Sequence, residues 1–300
     1  MAEGASAAAM ADVETRNPHL VGLIGRDIAA SRSPWLHEGE ARAQGLRLLY
    51  MLFDFAQRGW TEADLPRLLA ALHTVGAAGC NVTYPYKQAV IGLLDELSPQ
   101  ARDVGAVNTI VLKDGRAVGH NTDVIGFADS LARGLCDRPY SSVVQVGAGG
   151  AGAATAHALM MHGVNHLQLF DIDNERASAL AERLRAQYPS RRISIGGDLV
   201  VALAAADGMV NATPMGMAKM PGLPVPAESL GPHLWLTDIV YVPLETALVA
   251  EGRRRGCTVI DGSAMVIGQA AAAFALLTGC TADIIRMRAS FDQFAPAKAA

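Results

Sequence analysis

The sequence predicts an α/β protein of two domains, one of them built on a doubly wound parallel sheet. Three observations predict this. The chain has 300 residues, 51% of them hydrophobic and only 18% charged, which is enough to bury two cores. Between residues 143 and 261 short apolar runs alternate with helix-like stretches, as in successive βα units. A glycine-rich loop, Gly147-Ala148-Gly149-Gly150-Ala151-Gly152, separates a strand-like run from a helix-like one.

Composition narrows the function classes. A formal net charge of −4, with Arg253-Arg254-Arg255 as the sole basic run, argues against nucleic-acid binding. Cys80, Cys136, Cys257 and Cys280 show no CxxC spacing and no nearby histidine pairing. Neither a metal site nor a disulfide framework is indicated, and a reducing, cytoplasmic compartment fits. Residues 1–16, rich in Ala, Gly and acidic groups, read as a disordered extension rather than a signal peptide. The uncharged stretch 262–282 is long enough for a membrane span. Its alanines, three glycines, Ser263 and Gln269 make it a buried helix instead.

Residues 19–25 read as a strand running into a glycine turn. Ser31-Arg32-Ser33-Pro34 follows, with a helix opening behind the proline. Two serines in alternation before a helix start either cap that helix or bind an anion together with its free amides. Residues 48–54 form a second strand, 62–72 a helix and 77–82 a third strand. In Gly79-Cys80-Asn81-Val82-Thr83-Tyr84-Pro85-Tyr86-Lys87 the proline cannot extend a central strand but can open a helix, expected over 86–97. Lys87 would then face the positive end of the helix dipole, a poor place for a purely structural cation. A solvated surface lysine is the plain alternative. Residues 105–112 enter a strand, Lys113-Asp114-Gly115 turns and 117–119 returns, stopping at Asn121-Thr122-Asp123. Asp123 has a simple explanation as a helix N-cap.

The glycine loop carries the most specific local signal. Residues 142–146 form the strand before it and 153–162 the helix after it, and a second strand, 166–170, ends at Asp171. Glycines at 147, 149 and 152 allow, in turn, a tight turn, close approach of a pyrophosphate and helix-on-strand contact. With an acid at the end of the second strand, this is the fingerprint of a Rossmann-type dinucleotide domain. Asp171 can accept hydrogen bonds from the ribose hydroxyls of NAD and would repel the 2′-phosphate of NADP. NAD is therefore expected, NADP remains possible, and Arg176 is a candidate phosphate partner. Helices at 179–187, 199–205 and 245–255 and strands at 193–195, 208–210, 234–241 and 258–262 complete the alternation.

Taken together, Ser31-Arg32-Ser33-Pro34, 81–87, Gly105-Ala106-Val107-Asn108-Thr109, Asn121-Thr122-Asp123, the glycine loop, Asn211-Ala212-Thr213-Pro214, Tyr241-Val242-Pro243 and Gly262 with Met265, Gln269 and Ala270 resemble the shikimate dehydrogenase family over residues 20–292. The resemblance implies a substrate domain from both chain ends (17–122 and 262–300) and a dinucleotide-binding domain from the middle (123–261). It assigns Ser31 and Ser33 to the substrate carboxylate, and Thr83, Asn108, Asp123 and Gln269 to the ring hydroxyls. Tyr241 joins the substrate residues, and Asn211, Thr213 and Met265 join the glycine loop in binding the cofactor. Lys87 and Asp123 are the matched catalytic pair. Hydride transfer between an alcohol and a ketone also moves a proton at the same oxygen, so a side chain must reach it as acid or base.

Two positions depart from the common pattern. Asp171-Ile172-Asp173 replaces the Asn-Arg-Ser/Thr of NADP-using members, and with Pro214-Met215-Gly216-Met217 it is similar to the NAD-dependent quinate/shikimate branch. Glu38 stands where the family often has Asn. The implied activity is interconversion of shikimate and 3-dehydroshikimate, and of quinate and 3-dehydroquinate, without a metal, by a cytoplasmic monomer or homodimer. The alternatives are an NADP-dependent biosynthetic shikimate dehydrogenase and a non-catalytic sensor of a cyclic polyol acid.

Overall fold

The apolar runs His19–Gly25 (β1), Leu48–Asp54 (β2) and Gly79–Val82 (β3) pair in parallel, with β1 in the centre. A hairpin of Thr109–Lys113 (β5) and Arg116–His120 (β6) adds antiparallel to β3, and Glu96–Leu97 (β4) closes the sheet in the order β2-β1-β3-β5-β6-β4. The structure, a computed structural model, describes residues 18–135 and 138–293. The expected extension 1–16 and Cys136 lie outside them.

By contact the chain divides into two compact units. The first holds residues up to 96, 107–120 and those from 270 onward; the second holds 97–106 and 121–269. In the first, helix Ser33–Ala43 (α1) follows β1 and helix Leu65–Thr74 (α2) follows β2. The expected single helix over 62–72 is split. Glu62–Asp64 forms a 3₁₀ turn with a Thr61–Asp64 capping box, and the α-helix begins beside Pro66, which needs no N–H partner in the first turn. Val21, Leu23, Ile28, Tyr50, Ala273 and Leu277 form one buried cluster of this unit.

The second unit carries the predicted doubly wound sheet. Ser142–Val146 (β7), His166–Phe170 (β8), Arg192–Ile195 (β9), Gly208–Asn211 (β10), Trp235–Asp238 (β11) and Thr258–Ile260 (β12) are all parallel, in the order β12-β11-β10-β7-β8-β9. The order reverses between β7 and β10, the switch point at which such sheets bind ligands. Helices Asp123–Leu135 (α4), Gly150–His162 (α5), Asn174–Gln187 (α6), Leu199–Ala204 (α7) and Ala247–Arg254 (α8) surround it. Helix Asn174–Gln187 starts earlier than expected because the Asp173 carboxylate caps it, accepting from Glu175 N and Arg176 N, both at 3.1 Å.

Two expectations are corrected. Residues 86–97 are not one helix: a run of turns leads to a 3₁₀ turn at Ile91–Leu93 and then to β4. The Lys87 carbonyl accepts the Val107 N–H at 2.8 Å, so it is withdrawn from the i→i−4 pattern a helix needs. The dipole argument for Lys87 therefore falls. Second, Pro99–Val104 (α3), capped by Ser98, was not anticipated. Its last carbonyls accept from α6, Asp103 O from Gln187 at 2.9 Å and Val104 O from Arg183, and Val104 and Ala106 lie in the core of the second unit.

Two of the boundaries between the contact units fall at 120/121 and 269/270. Ser263–Thr278 (α9) crosses the second of these. Its first half packs on α4, where a Cβ on Gly126 would meet Met265 O at 2.5 Å and one on Gly268 would meet Gly126 Cα at 2.9 Å. A last helix, Ile284–Asp292 (α10), belongs to the first unit. No helix among the described residues is long and apolar enough to cross a membrane.

Candidate active site

In the first unit, parallel pairing aligns the strand ends. Ile24 pairs with Val82 and with Phe53, so the segments after β1, β2 and β3 emerge at one edge. The antiparallel strand β5 starts there, since Thr109 pairs with Asn81 and with His120. Ser31, Ser33, Thr83, Lys87 and Asn108 all lie at this edge, brought from stretches of sequence far apart.

The two serines are bonded to each other. Ser31 Oγ donates to Ser33 Oγ at 3.2 Å and accepts the Ser33 N–H at 3.3 Å, directly before α1, which has Pro34 in its first turn. Two adjacent hydroxyls at the start of a helix suit a carboxylate. Thr83 and Lys87 are half-buried, and Asn108 is buried. Asn108 is set by a network the sequence reading missed. Tyr50 OH donates to Asn81 Oδ1 at 2.8 Å, Asn81 Nδ2 donates to Thr109 Oγ1 at 3.0 Å, and Thr109 Oγ1 donates to Asn108 Oδ1 at 3.1 Å. Tyr50 and Asn81 interrupt otherwise apolar strands, and that was the available signal. Glu38 is also explained: its Oε1 accepts the Tyr50 N–H at 2.9 Å on edge strand β2.

In the second unit the expected residues follow the C-terminal ends of the parallel strands. Gly147 to Gly152 follow β7, Asp171 follows β8, Asn211 ends β10 and Thr213 follows it, Tyr241 follows β11, and Met265 with Gln269 lies on α9. The glycines fit a dinucleotide in three distinct ways. Gly147 has φ +104°, and a Cβ there would lie 2.7 Å from the Ala212 carbonyl. A Cβ on Gly152 would lie 2.3 Å from Gly147 O, so the helix can approach the strand only with glycine there. A Cβ on Gly149 would meet nothing within 4 Å, which is the open face where a pyrophosphate needs room. Gln145, unforeseen though polar within an apolar strand, braces the loop. Its amide donates to Gly147 O and to Gly152 O, each at 2.8 Å, and its Oε1 accepts from Thr155 at 2.9 Å.

Asp171 Oδ2 accepts the Ala148 N–H at 2.7 Å and Oδ1 accepts the Asp173 N–H at 2.9 Å. Arg176 lies 3.3 Å from Asp173 and 3.9 Å from Asp171. The buried Asp238 organises the next loop, its Oδ1 accepting from Asn211 Nδ2 at 2.9 Å and Val240 N at 3.0 Å and its Oδ2 from Thr246 Oγ1 at 2.6 Å. Burial raises the Asp238 pKa, and those bonds offset part of the rise. Asn211 Oδ1 in turn accepts from Thr213 N and Oγ1, at 3.1 and 2.7 Å.

Asp123 is buried at the first turn of α4. Asn121 Oδ1 accepts the Val124 N–H of that turn at 3.3 Å, while its Nδ2 donates to Ala106 O at 2.9 Å. Lys87 belongs to the first unit and Asp123 to the second. Among the described residues no cluster of His, Cys, Asp or Glu is placed to hold a metal ion.

Residues 23–110 match a family model described as the shikimate dehydrogenase substrate binding domain. The chain is 50% identical over 283 residues to the shikimate dehydrogenase (NADP(+)) of Streptomyces avermitilis, covering 94% of this chain and 97% of that one. It is 49% identical to the quinate/shikimate dehydrogenase (NAD(+)) of Corynebacterium efficiens, covering 91% and 97%. Among solved structures, quinate dehydrogenase from Corynebacterium glutamicum in complex with NAD superposes with a TM-score of 0.87 at 44% identity, covering 93% of this chain and 100% of that one. The two-domain α/β architecture, the motifs in their order and this likeness over nearly the whole length make the chain a member of the shikimate dehydrogenase family.

Proposed function

We propose that this protein interconverts shikimate and 3-dehydroshikimate, and quinate and 3-dehydroquinate, with NAD preferred over NADP. The observation that carries the proposal is the convergence of Ser31, Ser33, Thr83, Lys87 and Asn108 on one strand edge, in a chain about half identical to enzymes named for that chemistry. The first unit is the substrate domain and the second the dinucleotide domain, acting as a cytoplasmic monomer or homodimer.

Ser31 and Ser33 hold the substrate carboxylate, with Tyr241 as a further substrate contact. Thr83, Asn108, Asp123 and Gln269 bind the ring hydroxyls. The glycine loop, Asp171, Asn211, Thr213 and Met265 bind the dinucleotide, which when bound supplies the acceptor or donor of a hydride. As the carbinol carbon loses its hydride, its hydroxyl proton must leave, and Lys87 takes it while Asp123 orients both the lysine and the hydroxyl. In the reverse direction Lys87 returns that proton to the new alkoxide. If this is right, Lys87→Ala lowers kcat at least about a hundredfold, the usual worth of a general acid–base group. Near-native kcat would exclude it from proton transfer.

The preference for NAD is supported by the Asp171 and Asp173 carboxylates at the end of β8, which would repel a 2′-phosphate. Arg176 faces those carboxylates, so its charge is directed at them. The second reading, an NADP-dependent biosynthetic enzyme, is favoured by the Streptomyces avermitilis relative named for NADP(+). Initial rates with shikimate and quinate, each against NAD and NADP, test both. A higher kcat/KM with NADP overturns the preference, and no turnover in any pairing leaves a binding protein.

A further inference from the structure

We infer that Asp54 is the positioning residue of the serine loop: its carboxylate fixes the backbone at residues 27 and 28 so that Ser31 and Ser33 present a pre-formed carboxylate site. The inference rests on the reading of those serines given above and names what holds them.

Asp54 ends β2 and is 3% exposed. A buried carboxylate persists only where donors satisfy it, and here they are backbone amides. Oδ1 accepts from Asp27 N and Ala56 N, both at 3.0 Å, and Oδ2 accepts from Ile28 N at 2.9 Å. Burial by itself would raise the Asp54 pKa, but bonds from Ile28, Asp27, Ala56 and Gln57 together outweigh it and leave the group below its ordinary value. Two of those donors belong to the turn that follows β2. The other two belong to a different segment, the one that follows β1.

That second pair has a specific task. Asp27 has φ +56°, in the left-handed region that a non-glycine residue enters at a cost. The bonds to Asp27 N and Ile28 N hold the chain in that conformation from both sides of the Asp27 Cα. From Ile28 the connection runs on without an apolar link. Ile28 O accepts the Ser31 N–H at 2.9 Å, Ser31 Oγ accepts the Ser33 N–H, and Ser31 Oγ donates to Ser33 Oγ. A buried charge is thus bonded stepwise to the two hydroxyls. Its loss would release their orientation before it disturbed the strands.

Asp54→Asn keeps the shape but replaces one acceptor oxygen with an amide that cannot accept a backbone N–H. The comparison is steady-state kinetics with shikimate and with shikimate methyl ester, together with NAD affinity, in native protein, Asp54→Asn and Ser31→Ala. Both variants are expected to raise KM for shikimate about tenfold, the size of one lost hydrogen bond to a charged group, with kcat within about threefold of native. Asp54→Asn should leave KM for the ester and the Kd of NAD as in native protein. Native-like KM for shikimate in Asp54→Asn, with a raised KM in Ser31→Ala, overturns the inference alone. So does an equal rise for acid and ester, which marks a general loosening of the domain. Native-like KM in Ser31→Ala overturns the reading of the serines, and the inference with it. Asp54→Glu, which keeps the charge but lengthens the side chain, is read the same way if Asp54→Asn does not fold.

Discussion

The Asp171 carboxylate accepts the Ala148 N–H at 2.7 Å, so the acid that follows β8 is bonded to the glycine loop that follows β7. One side chain thereby braces the loop and, in the proposed function, also discriminates the ribose. Asp171→Ala removes both, leaving the amides of Ala148 and Asp173 without this acceptor and taking away the charge that would repel a 2′-phosphate. The ratio of kcat/KM for NAD over NADP should fall at least about tenfold, chiefly through weaker NAD use, since one charge-assisted bond is worth that much. Paired initial-rate measurements check it, and an unchanged ratio would move the discrimination elsewhere.

The glycines of the loop should respond differently to the same substitution. In Gly152→Ala the new methyl meets backbone atoms, Gly147 O at 2.3 Å and Gly147 C at 2.8 Å, which cannot rotate away. Overpacking of this kind should cost about 2 kcal/mol of stability and weaken NAD binding as well. In Gly149→Ala the methyl meets nothing within 4 Å, so denaturation should be unchanged while NAD binding weakens. Urea midpoints and NAD titrations of the two variants separate the cases.

The C-terminal helix α10 is fastened to α1 by a buried carboxylate. Glu40 accepts from Arg286 Nε and Nη2 at 2.7 and 2.8 Å, from Asp283 N at 2.9 Å and from Gln44 at 2.6 Å. Burial would raise the Glu40 pKa, but these bonds outweigh it and the net shift is downward. Arg286→Ala leaves that charge buried without its ion pair. The variant is expected to be less stable, with a lower urea midpoint. The double variant Glu40→Gln/Arg286→Met should recover part of the lost stability, as read from urea denaturation.

His37 gives the fold a defined sensitivity to acid. It is buried between Tyr50 and Phe274, with ring centroids at 4.9 and 6.1 Å, and its Nδ1 has no hydrogen-bond partner among the described residues. Burial lowers its pKa to about 4. The unfolded chain, with histidine near 6.5, then binds more protons than the native one between those values, so stability is full above pH 6.5 and is lost as pH falls towards 4. At pH 5 the loss from this group should be about 2 kcal/mol. His37→Phe should flatten stability between pH 7 and 5, and an undiminished slope in that variant would assign it to other groups.

Several local features were readable because their signals span only a few residues. The glycine loop, the acid that follows the next strand, the serine pair before a proline and the hairpin at Lys113-Asp114-Gly115 are each written within a few residues, and each stands where the sequence placed it. The misread stretch, 86–97, failed for the opposite reason. Its apolar residues suit a helix, but the Lys87 carbonyl is taken by Val107 N from the approach to β5, a competitor about twenty residues away that no local pattern announces. The supporting residues Gln145, Tyr50, Asn81 and Asp54 were visible as polar residues in apolar strands. What they hold was not.

The sequence by itself determined the class of sheet, the order of its units and the chemistry available: a lysine, carboxylates, a serine pair and a dinucleotide loop. The sheet, the order of its units and the glycine loop follow from periodicity and from backbone restrictions that glycine and proline impose on their immediate neighbours; the tasks of the lysine, the carboxylates and the serine pair are what the family resemblance implies. Tertiary structure alone decided that residues 97–106 and the first half of α9 join the second unit. Only there do Val104 and Met265 find a core, Asp103 and Val104 donors on α6, and Gly268 a glycine it can touch. It also decided that Asp54 reaches across to the loop after β1. A charge can be buried only where distant backbone supplies its donors, and where those donors come together is a property of the fold.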